Sequence, residues 1–264
     1  MWKNQADGHV FENNFSFVMF NSKTIQMEKL TAKKVVVAGA TGGIGRQLVK
    51  LLQQSGAEVF VTGRDQVKLD ALVSDLGLSP THAVAADISN ESDMQMLGSR
   101  VTSEMGTPDI LINLAGIGII KSMDHLTLAE FTQSLNTNLV GSFLFVKMFL
   151  PAMKESKKGL IVNVPGVLGK VPMAGAAAYS ASKYGIVGMM QSIREELKRT
   201  EIRITNLFLG GVDSPFWDNI DLRVQKDKMI TSEEAAKAIW FLCQQPTSGV
   251  ISEMVLQPFN HQAI

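Results

Sequence analysis

The sequence is poor in the residues that build disulfides and metal sites. Cys243 is the only cysteine among 264 residues, so neither an internal disulfide nor a cysteine cluster around a metal can form. The four histidines are scattered, and none lies at helical spacing from another. We therefore expect no metal site, and the cysteine usage favours a reducing, cytoplasmic location.

Net charge is also lacking, and so are long apolar runs. Lysine plus arginine and aspartate plus glutamate number 25 each, so the charge balance gives no reason to expect a nucleic-acid partner. The apolar run near the N-terminus, FSFVMF at 15–20, covers six residues. A signal peptide needs roughly 7–15 apolar residues and a membrane helix about 20, so we expect neither segment and no membrane partner.

From Lys33 onward, short β-branched runs alternate with longer amphipathic stretches. This alternation is typical of βαβ units, whose parallel sheet is buried by helices on both faces. Residues 1–31 are predicted to be a loosely ordered N-terminal extension, and 32–264 a single α/β domain. The predicted strands are 34–39, 58–63, 82–87, 109–116, 159–164, 202–210 and 249–256, and the predicted helices are 43–55, 65–76, 91–105, 127–154, 175–199 and 231–245.

A glycine-rich turn joins the first predicted strand to the first predicted helix. Gly39, Gly43 and Gly45 stand at G-x-x-x-G-x-G spacing. Glycines at such a turn let the backbone approach a pyrophosphate, whose charge is stabilised by the N-terminus of the helix. The turn predicts a Rossmann-type, doubly wound parallel sheet of about seven strands that binds a dinucleotide. An ordinary strand-to-helix turn is the alternative.

The end of the second predicted strand indicates which dinucleotide binds. Gly63 stands where a carboxylate would hold the ribose hydroxyls of NAD, and Arg64 follows it. An arginine there can pair with the 2′-phosphate of NADP. Asp65 would favour NAD, but its place just before QVKLDALV is typical of a helix N-cap. NADP(H) is therefore the expected cofactor.

Tyr179 and Lys183 stand four residues apart in AAYSASKYG, hence on one face of a predicted helix. A phenol with a pKa of about 10 is a poor acid–base catalyst at neutral pH, but a neighbouring ammonium group lowers that pKa. Most such pairs are ordinary residues of a helix surface, so the pair gains meaning only from the motifs around it.

Together these motifs resemble the short-chain dehydrogenase/reductase family over roughly residues 35–258. NLAG at 113–116, NTNLVG at 136–141 and LGGVDSP at 209–215 are similar to later motifs of that family, with Leu114 and Leu209 as departures. The resemblance implies that Asn138, Tyr179 and Lys183 form the catalytic set. The cofactor contacts that it implies are Gly39, Thr41, Gly43, Ile44, Gly45, Arg64, Asp87, Asn113, Ala115, Gly116, Tyr179, Lys183, Val212 and Ser214.

The resemblance also indicates a missing side chain. The family's catalytic serine usually stands thirteen residues before the tyrosine, and that count from Tyr179 leads to Gly166 in VPGVLG. A serine hydroxyl there would polarise the substrate carbonyl, and loss of one such donor typically lowers the rate by about 10²–10³. Gly166→Ser is accordingly expected to raise activity on simple ketones, with a smaller gain if Pro165 misdirects the new side chain.

Two functions remain open. One is an NADP(H)-dependent oxidoreductase that interconverts a mostly apolar ketone and alcohol, with a small-molecule carbonyl or alcohol as its substrate. The other is a catalytically weak or inactive NADP(H)-binding protein with a regulatory or structural role. The resemblance also implies a homodimer or homotetramer.

The predicted substrate pocket has mostly apolar walls and no arginine cluster for a carboxylate or phosphate. Phe216 and Trp217 are either a mobile lid over this pocket or anchors in the core. The predicted walls are Ile117, Val167, Leu168, Met173 and the segment 212–220.

Overall fold

The structure, a computed structural model, describes residues 28–260. Its strands are β1 (Lys34–Ala38), β2 (Glu58–Gly63), β3 (Ala83–Ala85), β4 (Ile110–Asn113), β5 (Lys158–Asn163), β6 (Glu201–Leu209), β7 (Val212–Asp213), β8 (Ile230–Thr231) and β9 (Glu253–Leu256). Its helices are α1 (Gly43–Gln54), α2 (Gln66–Leu76), α3 (Glu91–Met105), α4 (Leu128–Ser134), α5 (Gly141–Ser156), α6 (Ala177–Glu196) and α7 (Ser232–Leu242).

The main sheet has seven strands in the order β3-β2-β1-β4-β5-β6-β9, and every pair in it is parallel. A small second sheet pairs β7 with β8. The strand order reverses between β1 and β4, where Ala38 lies opposite Asn113 at the carboxyl ends of the strands. This arrangement confirms the predicted Rossmann-type sheet, and ligands of such sheets bind at the point of reversal.

The two faces of the sheet bury separate hydrophobic cores. Successive residues of a strand point to opposite faces, so Val36 contributes to one core and Val37 to the other, both fully buried. Helices α1, α2 and α7 pack on the Val37 face, and α3, α5 and α6 pack on the Val36 face. Burial on both sides explains why the strands read as continuous apolar runs.

The structure corrects several predicted boundaries. The predicted helix 127–154 is divided, because a π-helical segment, Leu135–Val140, joins α4 to α5. The last strand begins at Glu253 instead of 249, and β3 and β4 are also shorter than predicted. Leu30 is only 3% exposed in the core, so the packed domain begins before the predicted boundary at 32. Residues 1–27 of the predicted extension, and 261–264, lie outside the described residues.

Two further observations concern the function classes that the composition disfavours. Within residues 28–260, no helix is both long and apolar enough to cross a membrane. In the same part of the chain, no group of three or more His, Cys, Asp or Glu side chains is placed to hold a metal ion.

Candidate active site

The glycine turn after β1 brings backbone segments closer together than side chains would allow. Gly39 has a φ of +76°, and a Cβ at this position would lie 2.7 Å from the backbone nitrogen of Ala115. A Cβ on Gly45 would lie 2.4 Å from the carbonyl oxygen of Gly39. Helix α1 begins at Gly43 without a side-chain cap, which leaves its first N–H groups for a ligand. The turn therefore fits an anionic group such as a pyrophosphate.

A small cavity at the end of β2 is lined by Thr41, Arg64, Asp65 and Lys68. The Oδ1 atom of Asp65 accepts a hydrogen bond of 3.0 Å from the Lys68 backbone N–H, which confirms the predicted N-cap of α2. This hydrogen bond ties one oxygen of the Asp65 carboxylate to the N-terminus of α2. Arg64 and Lys68 add two cations to the lining, and the Lys68 Nζ lies 4.0 Å from the other carboxylate oxygen of Asp65. Lys68 is not among the predicted site residues, although its position in the first turn of α2, beside Asp65, could have indicated that it lies near this cavity.

The cleft between β1 and β4 is lined by four of the residues predicted to contact the cofactor, Thr41, Asp87, Ala115 and Gly116. One carboxylate oxygen of Asp87 accepts two hydrogen bonds from Ser89, one from its backbone N–H at 2.9 Å and one from its hydroxyl at 2.6 Å. The Asp87 side chain is thus held in a fixed position beside the cleft.

Asn113 differs from the other predicted cofactor contacts because its side chain points into the protein. Its Nδ2 donates to the Ser142 hydroxyl at 2.8 Å, and its Oδ1 accepts from the Ala115 N–H at 3.1 Å. Only 5% of Asn113 is exposed. The side chain therefore braces the backbone of the cleft and does not line it.

Tyr179 and Lys183 lie on one face of α6, as their spacing predicts. The Lys183 Nζ atom lies 5.3 Å from the centroid of the Tyr179 ring and 3.4 Å from the carbonyl oxygen of Val164. Burial disfavours both charged forms: it raises the pKa of the Tyr179 phenol above its ordinary value and lowers the pKa of Lys183 to about 8. At neutral pH the tyrosine is therefore a proton donor and the lysine a cation.

Asn138 lies in the π-helical segment, where its fully buried side chain ties three parts of the site together. Its Oδ1 accepts from the Ile117 N–H at 2.8 Å, and its Nδ2 donates to the Ile117 carbonyl at 3.0 Å. The same Nδ2 also lies 3.0 Å from the hydroxyl of Ser182 in α6. Asn138 thus fixes the loop after β4 against the helix that carries Lys183, and π-helical turns are frequent at functional sites.

One cavity of about 930 Å³ joins the glycine turn to the tyrosine–lysine pair. Val167, Leu168 and Met173 line it as predicted, but Ile120 takes the place expected for Ile117. The cavity also has walls that were not predicted, from 222–225, 227–229 and 257–258. No motif marks these segments, and only the fold brings them here. The predicted site residues that line the cavity are Gly39, Gly43, Ile44, Gly45, Gly116, Tyr179, Lys183, Val212 and Ser214.

Phe216 and Trp217 form a wall of this cavity beside Tyr179. The rings of Phe216 and Tyr179 lie 5.9 Å apart, and Trp217 packs edge-on against Phe216 at 5.2 Å. The Trp217 Nε1–H donates to the Val212 carbonyl at 2.8 Å. Both side chains are half-buried, so they are part of the site and not anchors of the central core.

Gly166 lies in the same cavity with a backbone conformation that favours glycine. Its φ is +71° and its ψ 169°, a region that other residues occupy only at a cost. A Cβ there would point toward the carbonyl oxygen of Leu209, 3.5 Å away. Space is available, but the backbone angle is unfavourable. The strain at this φ opposes the gain in activity expected from Gly166→Ser.

We expect Gly166→Ser to destabilise the protein by about 1–3 kcal/mol without raising activity, because serine would be strained at this φ. Chemical denaturation measures the loss, and Gly166→Ala is the matched control, since it adds the same strain without a hydroxyl. Equal losses in the two variants identify the backbone as the cause. A serine variant as stable as the wild type would contradict the prediction.

Comparison with known proteins agrees with this geometry. The protein belongs to the class of oxidoreductases that are built on a Rossmann-type sheet. The chain is a member of the short chain dehydrogenase family, whose model matches residues 33–225. It is 28% identical over 232 residues to an uncharacterized oxidoreductase of Staphylococcus epidermidis, and 26% identical to one of Staphylococcus haemolyticus. Each match covers 88% of this chain and all of the relative.

Solved structures show the same likeness. A metagenomic short-chain oxidoreductase in complex with NADP is 29% identical with a TM-score of 0.75, covering 88% of this chain and 99% of the other. A variant of actinorhodin polyketide ketoreductase with NADPH is 26% identical with a TM-score of 0.76, covering 86% of this chain and 96% of the other.

Proposed function

We propose that the protein is an NADP(H)-dependent oxidoreductase that interconverts a mostly apolar ketone and the corresponding alcohol. The observation that carries this proposal is the single cavity that Tyr179 and Lys183 share with the glycine turn. A dinucleotide on the turn would place its nicotinamide end toward the tyrosine. The apolar side chains of Val167, Leu168 and Met173 line the remaining space.

The residues of the chain have distinct parts in this proposal. A bound nicotinamide supplies or takes up the hydride. Tyr179 donates its hydroxyl proton to the carbonyl oxygen, and the Lys183 ammonium stabilises the phenolate that remains. Asn138 holds the loop and the helix on either side of Lys183. The other predicted contacts, including Asp87, Val212 and Ser214, are proposed to hold the dinucleotide, with Asn113 as a brace.

The glycine at 166 is proposed to replace the family's serine, so a donor to the carbonyl oxygen is missing from that position. Water in the cavity, or a group of the substrate, can supply this hydrogen bond. If neither does, the second function remains: a weak or inactive NADP(H)-binding protein with a regulatory or structural role. The positive φ of Gly166 favours keeping this second candidate, because any residue with a side chain, serine included, would be strained there.

NADP(H) is favoured over NAD(H) by the charges around the end of β2. Arg64, Asp65 and Lys68 line one cavity, where one oxygen of Asp65 caps α2 and the other lies 4.0 Å from the Lys68 Nζ, so Arg64 is the cation there without an acidic partner among the described residues. A Cβ on Gly63 would lie 2.9 Å from the hydroxyl of Thr41, so this strand end leaves little room for an acidic side chain. Both solved structures named above were determined with NADP or NADPH, which supports the same choice.

We expect Arg64→Ala to weaken NADPH binding by about ten- to a hundred-fold, since a charged hydrogen bond to the 2′-phosphate contributes roughly 1.5–3 kcal/mol. NADH affinity should not change. Fluorescence titration with both cofactors measures the effect, and Arg46→Ala is the control because Arg46 pairs with Asp75 outside the cavity. Equal affinity of the wild type for NADPH and NADH would overturn the cofactor assignment.

The proposal also includes the assembly and the cellular location of the protein. Phe143 at the start of α5 and Tyr184 on α6 are each 44% exposed, which supports pairing of these helices in a homodimer or homotetramer. The scarcity of cysteine favours a cytoplasmic location.

A further inference from the structure

Two exposed cations line the rim of the cavity that holds Tyr179. Arg223 and Lys228 both belong to the segment between the Phe216 wall and β8. Within the described residues, neither of these two side chains forms an ion pair or a hydrogen bond. Lys226, between them, differs because its Nζ is 2.9 Å from Asp218. Two cations are therefore available for a ligand.

Few acidic residues line the cavity beside these cations. Asp227 is the one acidic residue among the described residues that line it, and Lys183 adds a third cation at its inner end. The charge of the lining is therefore positive on balance. The lining also includes the apolar side chains of Leu168, Met173 and Phe216, and the Phe216 ring lies 5.9 Å from the ring of Tyr179. This distribution matches a molecule with an apolar body and one negative end.

We infer that the substrate is a carbonyl or alcohol compound with a terminal carboxylate, which Arg223 binds at the rim with help from Lys228. The inference rests on the proposed function, and it specifies the substrate as an apolar oxo acid or hydroxy acid. A guanidinium group is suited to this role because its planar donors can bind both oxygens of a carboxylate. Arg223 is a specificity residue: it orients the far end of the substrate and takes no part in proton transfer.

The test compares methyl ketones that end in a carboxylate with their methyl esters. The compounds are 5-oxohexanoate, 7-oxooctanoate and 9-oxodecanoate, each reduced with NADPH by the full-length protein. We expect at least one acid to exceed its ester about ten-fold in kcat/KM, since a charge-assisted hydrogen bond at an exposed rim contributes less than a buried one. The preference should decrease as salt is added. Esters that react as well as all three acids would overturn the inference.

Arg223→Leu should remove the preference by raising KM for the acid, while kcat/KM for the ester stays within about two-fold. Arg199→Leu is the matched control, because Arg199 is an exposed arginine outside the cavity. NADPH affinity should be equal in both variants and the wild type. If Arg223→Leu instead weakens NADPH binding and leaves the acid preference intact, the arginine contacts the cofactor and the inference is wrong.

A binding measurement separates this inference from the proposed function. Octanoate is titrated into the protein–NADPH complex, and cofactor fluorescence reports its binding. We expect saturable binding that weakens about ten-fold in Arg223→Leu and not in Arg199→Leu. If no ketone is reduced but octanoate binds in this way, the proposed reaction fails and the carboxylate site stands. If octanoate binds equally to all three proteins, the carboxylate site is refuted whatever the turnover.

Discussion

Tyr179→Phe is expected to abolish ketone reduction while NADPH remains bound. The variant loses the hydroxyl that is proposed to donate the proton, and loss of a positioned general acid typically lowers the rate by about 10²–10⁴. The ring is retained, so its packing against Phe216 at 5.9 Å should persist. Steady-state rates measure the first effect and fluorescence titration the second.

The chain offers a close control for this experiment. Its only other tyrosine, Tyr184, lies on the same helix and is 44% exposed. Tyr184→Phe should leave turnover within about two-fold of the wild type, because Tyr184 does not line the cavity and the substitution keeps its ring. Rapid turnover that survives Tyr179→Phe would mean that the proton donor lies elsewhere in the cavity.

The pH profile supplies a second readout of the same pair. Burial raises the pKa of Tyr179, so the phenol stays protonated through neutral pH and can act as the acid in ketone reduction. Burial lowers the pKa of Lys183 to about 8, so its ammonium charge is present below that pH and is lost above it. We therefore expect kcat/KM for reduction to be level near about pH 6–7 and to fall above about pH 8.

Gly45→Ala is expected to have the second large effect, on stability and cofactor binding together. The new methyl group would lie 2.4 Å from the Gly39 carbonyl oxygen and 2.7 Å from the Cα of Ala40, and neither atom can move without the glycine turn. Overpacking of this kind typically costs about 1–3 kcal/mol or more. A displaced turn should also weaken NADPH binding by about a hundred-fold, since contacts to a pyrophosphate depend on sub-ångström positions.

Gly188→Ala makes the matched comparison. Gly188 is also a helical glycine, but a Cβ there has nothing within 4 Å. Alanine in an open helix position should stabilise the protein by about 0.5–1 kcal/mol and leave NADPH binding unchanged. Thermal denaturation and cofactor titration of both variants test the contrast. Similar behaviour of the two variants would show that the turn is not as tightly packed as the distances indicate.

The parts of the fold that were predictable depend on local chemistry. Apolar runs such as KVVVA predict buried strands because a sheet covered on both faces needs them. Asp65 is recognisable as an N-cap because its carboxylate bonds only three residues ahead. The predicted ends of helices and strands were less accurate, as at the start of β9, because the end of an element depends on which neighbouring residues continue to pair.

The division of the predicted long helix could not be read from its sequence. Periodicity over 127–154 fits a continuous helix, whereas the structure has a π-helical segment there, in which Asn138 bonds to Ile117 on another segment. Hydrogen bonds between distant segments leave no trace in local spacing. The brace formed by Asn113 and Ser142, 29 residues apart, was hidden for the same reason.

By itself the sequence determined the fold class, the glycine turn and the tyrosine–lysine pair, because each depends on spacing within one turn or one helix. Only the tertiary structure placed Gly166 and Arg223 on the wall of the same cavity. The φ of Gly166 is set by the path of the chain between β5 and α6. Arg223 reaches the cavity because β7 pairs with β8, which folds the intervening segment over the carboxyl ends of the main sheet.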